Sequence, residues 1–149
     1  MNRRAVLLLL VFVSAWELSE PIAARAQAPG KVFQARLSTV PIDLAMASTI
    51  AGSGSATASL KGRTLIVSGR FSGLKSPATV VRLHRSPTRG MRGPAIADLT
   101  ATPGTSGEIS GSVELSAAQV DDLEKGRLYV QLHSEKAPDG NLWGWLLAK

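Results

Sequence analysis

Arg127-Leu128-Tyr129-Val130-Gln131-Leu132-His133, followed after Pro138-Asp139-Gly140 by Asn141-Leu142-Trp143-Gly144-Trp145-Leu146-Leu147, decides the fold class of this chain. In the first run Leu128, Val130 and Leu132 fall on one face and Tyr129, Gln131 and His133 on the other. In the second, Leu142, Gly144 and Leu146 share a face, opposite Trp143, Trp145 and Leu147. A period of two is the signature of a strand, because successive side chains of extended backbone point to opposite sides. Proline preset for a turn and glycine free to take positive φ make Pro138-Asp139-Gly140 the expected hairpin turn.

The same period runs upstream. Glu108–Leu115 alternates through Ile109, Gly111, Val113 and Leu115, and Thr64–Phe71 through Leu65, Val67, Gly69 and Phe71. Val32–Leu37, Ser55–Leu60, Thr79–His84 and Ala95–Leu99 complete a series of short strands with polar or glycine-containing connections. Val40–Ala51 reads as an irregular crossing, and Arg85–Pro94 as an exposed loop. One helix interrupts the pattern near 116–125. Ser116-Ala117-Ala118-Gln119 is a capping box, Val120 and Leu123 supply an apolar stripe, and Gly126 suits the position just past the end. Asp121, Asp122 and Glu124 read as its solvated side. The fold class is therefore all-β: an antiparallel β-sandwich or barrel of Ig-like or Greek-key type with one short helix.

The N-terminus reads as an address. Arg3 and Arg4 precede a nearly unbroken apolar run from Ala5 to Ala15, and Ala24-Arg25-Ala26 offers small residues to a signal peptidase. Residues 1–26 are an expected signal peptide, 27–31 a linker and 32–149 the working β domain. The apolar run is too short to span a bilayer. Expected localisation is the periplasm or the exterior, with no membrane span after cleavage. The chain has no cysteine, which excludes a disulfide framework and a lipid anchor on cysteine. Beyond residue 26 it carries 14 Lys and Arg against 9 Asp and Glu, a net charge of +5, which favours anionic surfaces without naming one.

Candidate chemistry is sparse. His84 and His133 are the two histidines, each beside a core-facing leucine. With Arg82 they form a candidate polar site, and Asp98, Glu135 or Asp139 are the carboxylates that would complete a metal-ligand set. Zinc wants three or four protein ligands, and no ligand spacing is visible. No serine sits in a nucleophile elbow. The expectation is a non-enzyme without metal or cofactor; the alternative is a metal-binding protein or metal-dependent enzyme using His84 and His133. Arg85, Arg89 and Arg92 concentrate charge in one loop, where planar guanidinium groups suit phosphate, sulfate or carboxylate. The loop lacks the interleaved aromatics of a nucleic-acid surface, so nucleic acid is not an expected partner. An unknown protein or an anionic envelope component is. Trp143 and Trp145 form a second candidate surface, for sugar or protein, unless loops of the same chain cover them. Oligomeric state is not legible.

Order and spacing resemble the CHRD domain, the repeat of chordin and of many small secreted bacterial proteins. Phe33-Gln34-Ala35-Arg36-Leu37 with Val40-Pro41 resembles its opening strand, and Gly54–Ala58 its second. Phe71-Ser72-Gly73-Leu74 resembles the turn that follows, Val81-Arg82-Leu83-His84 the family's Ala-His-Ile-His, and Gly93-Pro94-Ala95 its Gly-Pro-Val. Gly126–His133 resembles Gly-x-Leu-Tyr-Val-x-Val-His, and Pro138–Gly144 the closing Pro-x-Gly-Glu-Ile-Arg-Gly. Arg82 stands in the place of a family histidine, Asn141 of a glutamate and Trp143 of an arginine. Any site the family builds from those polar residues is altered here. The resemblance implies an extracellular β domain and no established reaction.

Overall fold

The computed structural model describes residues 30–149; the expected signal peptide and the linker up to residue 29 lie outside the described residues. Nine strands and one helix follow in order: β1 (Lys31–Thr39), β2 (Ser53–Lys61), β3 (Thr64–Ser72), β4 (Ala78–Arg85), β5 (Ala95–Ala101), β6 (Gly107–Glu114), α1 (Ala117–Glu124), β7 (Leu128–Ser134), β8 (Ala137–Trp145) and β9 (Leu147–Ala148). Every pairing is antiparallel. The strand order β2-β3-β6-β5-β4-β7-β8-β1 closes on itself because β1 also pairs β2 from Lys31–Leu60 to Leu37–Gly54. The result is an eight-stranded barrel. The β3-to-β4 connection passes over β5 and β6, a Greek-key excursion. β9 pairs β1 at Phe33 and Gln34 and continues the line of β8 beyond Leu146.

Closure gives the inward faces one shared interior. Phe33 and Leu37 of β1, Leu65 and Val67 of β3, Val81 and Leu83 of β4, Ile109 of β6, and Leu128, Val130 and Leu132 of β7 fill it. Burial of this area is the main favourable term, because no disulfide contributes. A closed barrel also leaves no long unpaired edge. Among the described residues no helix is long and apolar enough to cross a membrane.

The helix is capped as the sequence dictates. Ser116 Oγ accepts from Gln119 N at 3.2 Å, Gln119 Oε1 accepts from Ser116 N at 2.8 Å, and Gly126 takes φ +68°. Leu123 enters the core. One reading of this helix is corrected. Asp122 is buried rather than solvated, and its carboxylate pairs with Arg85 and, at 3.3 Å, with Arg127. Of the three acids of this helix, only Asp121 and Glu124 face water.

The last hairpin is a second correction. Its turn is Glu135–Lys136, not Pro138-Asp139-Gly140, which lies inside β8. Leu132 pairs Leu142 while Ser134 pairs Ala137, so residues 138–141 bulge opposite His133 alone. Proline has no N–H for the ladder and belongs at a bulge. Gly140 takes φ +127°, and a Cβ there would stand 2.6 Å from Gln131 Nε2. The turn residues are thus used to bend a strand over its neighbour.

Candidate functional site

The barrel wall of β4, β7 and β8 carries the chemistry on its outer face. Register places His84 beside Tyr129 and Arg82 beside Gln131 across β4 and β7. It places Tyr129 beside Trp145 and Gln131 beside Trp143 across β7 and β8. The alternation that sends Val81, Leu83, Val130 and Leu142 inward therefore sends this set outward. Their rings touch in series. His84 and Tyr129 stack at 4.8 Å between centroids, Tyr129 and Trp145 lie 5.0 Å apart, and Trp145 meets Trp143 edge-on at 4.6 Å.

This outer face is covered. Every residue of β7 is buried, including Tyr129, Gln131 and His133. The 86–94 loop folds back across it. Tyr129 Oη lies 3.1 Å from Gly93 N and 3.3 Å from Gly93 O, and Ser86 Oγ donates to Met91 O at 2.7 Å. Arg92 Nη1 donates to Asp139 O at 2.9 Å, with its guanidinium 5.8 Å from the Trp143 ring. From the other end, Val40 and Ile50 of the 40–52 crossing pack with Ala137, and Met46 and Trp143 join them. Trp143 and Trp145 end half-buried.

Both histidines are pinned in the same way. His84 Nδ1 lies 2.9 Å from Gly93 O, and His133 Nδ1 2.8 Å from Pro138 O. A carbonyl only accepts, so each Nδ1 carries the proton and each Nε2 keeps its lone pair. His84 Nε2 is buried without a partner. His133 Nε2 has only the Gln131 amide nitrogen, at 3.4 Å, and Gln131 Oε1 is also unpartnered. The two rings are 6.4 Å apart between centroids, with planes 27° from parallel. Burial pushes both imidazoles below their ordinary pKa, and the Arg82 and Arg92 charges push the same way; the carbonyl contacts at Gly93 and Pro138 oppose the shift. Both rings are therefore neutral at pH 7.

The arginines of the loop separate. Arg85 is committed to Asp122 beneath it. Arg92 is tied across Trp143 to the β8 bulge. Arg82 pairs with Asp98 at 3.0 Å. Arg89 alone of the three loop candidates lines a groove, of about 340 Å³, with Arg36, Ser38, Trp143 and Trp145. Arg36 was not singled out from the sequence. Its signal was a charge on the outward positions of β1, legible only once β1 is known to border β8. Asp139 lies close enough to His133 for its charge to oppose the lowering of that imidazole, whereas Asp98 is paired with Arg82, and among the described residues no group of three or more His, Asp or Glu side chains could hold a metal ion.

The family model of the CHRD domain matches residues 33–146. No curated protein and no solved structure matches the chain.

Proposed function

The chain belongs to the CHRD domain family, and from that premise we propose that it is an exported, non-enzymatic binding module whose contact surface is the groove between β1 and β8. One observation carries this reading: Arg36 and Arg89 line a groove that also includes the two half-buried indoles, Trp143 and Trp145. A sugar ring finds an apolar, flat partner in indole, and a carboxylate or sulfate finds a fork of donors in guanidinium. Together these groups fit an acidic polysaccharide of the envelope better than a neutral one. The net charge of the domain favours approach of such a ligand. The signal-like residues 1–26 support work outside the cytoplasm, and the absence of a nucleophile–base pair in the sequence supports binding without turnover.

The test is retention on an immobilised acidic polysaccharide, polygalacturonate, against a neutral one, at low and high salt. Wild type should bind the acidic polymer, and binding should weaken as salt screens it over ~8–10 Å. Arg36→Ala with Arg89→Ala should weaken it at least tenfold while melting stays near wild type, because both side chains are exposed. Arg85 is left alone, since its loss would strip the buried Asp122 carboxylate of one of its two partners. Equal binding by wild type and double variant, or binding indifferent to salt, overturns the proposal.

A further inference from the structure

We propose that the groove between β1 and β8 continues across β2 and β3 as one track for an extended acidic polysaccharide, with Arg70 as its far anchor. The proposal rests on the reading of that groove as a binding surface and adds its direction, its length and its end. Three concavities meet in series. The groove of Arg89, Trp143 and Trp145 shares Arg36 with a second, of about 310 Å³. The second shares Ser55 and Arg70 with a third, of about 640 Å³. Register sets the direction. Arg36 pairs Ser55, Ser55 pairs Arg70 and Arg70 pairs Glu108, so the track runs across the strands rather than along them.

The arginines on this track are the ones the fold leaves free. Arg63, Arg82, Arg85 and Arg127 pair with carboxylates, and Arg92 donates to Asp139 O. Among the described residues, Arg36, Arg70 and Arg89 have no ion-pair or side-chain hydrogen-bond partner, and all three are exposed. A guanidinium without a carboxylate keeps its whole fork of donors for an anionic ligand. Backbone, not side-chain rotamers, shapes the path between them. Gly144, Gly54 and Gly69 stand beneath it, paired with core residues of neighbouring strands. A Cβ on each would clash with a backbone carbonyl, of Arg36, Arg70 and Ser55 respectively. Glycine inside a strand marks such close approach. The strands are therefore drawn together at the level of the arginines, and a preformed track lowers the cost of binding.

Spacing selects the occupant. Neighbouring strands lie about 4.8 Å apart, so Arg36 and Arg70, two strands apart, are separated by about 10 Å at the backbone. Two linked pyranose units span a similar length. In a ribbon-like polyuronate the carboxylates on one side recur at every second sugar, so one side of the chain meets both guanidinium groups. Between and beyond them Ser55, Thr57, Ser68 and Ser110 offer hydroxyls to the sugar oxygens. Glu108, beside Arg70 in register, repels a further carboxylate and ends the track.

The experiment is calorimetric titration of the wild type and of Arg70→Gln with oligogalacturonates of three and of eight sugars at low salt. The wild type should bind the octamer at least twentyfold more tightly than the trimer, beyond the several-fold statistical gain of a longer chain on a short site. Arg70→Gln should melt as the wild type does, bind the trimer equally and bind the octamer at least fivefold more weakly. Should that variant fail to fold, the length dependence of the wild type decides alone. An octamer advantage within the statistical gain, or equal octamer binding by wild type and folded Arg70→Gln, overturns the track and leaves the groove at Arg36 and Arg89 standing. Failure of the wild type to bind either oligomer overturns both readings. Arg70-dependent binding to phosphatidylglycerol vesicles, without affinity for the octamer, overturns the track in favour of a membrane surface.

Discussion

Two stretches of the barrel wall obey the same alternation and end in opposite environments. On β2, β3 and β6 the outward positions include Ser55, Thr57, Ser68, Arg70, Ser110 and Ser112, all of them exposed. Their neighbours Ala56, Val67 and Ile109 are core. β7 has the same two-residue pattern, yet all seven of its residues are buried. The difference lies in what crosses the outside. Among the described residues nothing crosses the outside of β3, whereas the 86–94 loop and the 138–141 bulge cover β7 and the 40–52 crossing packs on β8 beside it. Small hydroxyl side chains need no cover, because water satisfies them. An aromatic and histidine face left open would expose a contiguous apolar patch, which monomers avoid. The open wall has a concavity of its own, of about 640 Å³, lined by Ser55, Thr57, Ser68, Arg70, Glu108 and Ser110, but the stacked rings and both histidines lie on the covered wall.

The largest way to break that difference is to remove the cover. Gly93 is the clasp: its N–H and carbonyl meet Tyr129 Oη and its carbonyl meets His84 Nδ1. A Cβ there would stand 1.9 Å from Arg85 O, a backbone atom that cannot swing aside. Gly93→Ala should therefore lift the loop and cost ~1–3 kcal/mol, the scale of overpacking. Hydrogen exchange should rise in the 86–94 segment and at β7, with β3 unchanged. Unaltered exchange at β7 would show that the loop is not what protects this face.

Acid should produce the next largest change, again on one wall only. The folded pKa of His84 and His133 lies below the ordinary imidazole value. Between the two values the unfolded chain binds more protons than the folded one, so stability rises with pH there. Stability should be full above roughly pH 6.5, the unfolded imidazole value, and should fall as pH drops below it. The measurement is a series of melts from pH 7.5 to 5, with protection factors corrected for intrinsic exchange. Loss should appear at β4 and β7 before β2, β3 and β6. A melting temperature that rises on acidification would refute the burial assigned to these rings.

How much of this was legible in the sequence divides along the same line. Strand positions were, since the inward core residues Leu65 and Val67 of β3, Ile109 of β6, and Leu128, Val130 and Leu132 of β7 follow from period two. The capping box placed the helix within a residue at each end. Cover was not legible. Asp122 reads as a solvated acid from helix composition, and its burial depends on Arg85 and Arg127 arriving from distant strands. Pro138-Asp139-Gly140 carries the chemistry of a turn, but a bulge uses the same residues, and local sequence does not distinguish them. Three loop arginines looked like one patch because loop composition says nothing about where guanidinium groups point.

The smallest expected effect is also the cleanest control. Ile66 is the one large apolar side chain on the outward face of β3, and it is about half exposed. It stands beside Ser59 of β2 and Ser112 of β6, so the open wall is otherwise hydroxyl-lined at this level. Ile66→Thr keeps the β-branch that suits a strand and trades an apolar group in water for a hydroxyl. No cavity is made and no buried donor is created. Stability should therefore stay within about 0.5 kcal/mol of wild type, the usual range for a surface change, and can be read from urea midpoints at unchanged slope. A loss above 2 kcal/mol would mean that something packs on this wall after all. The contrast between an open and a covered face would then have to be replaced by one between two kinds of cover.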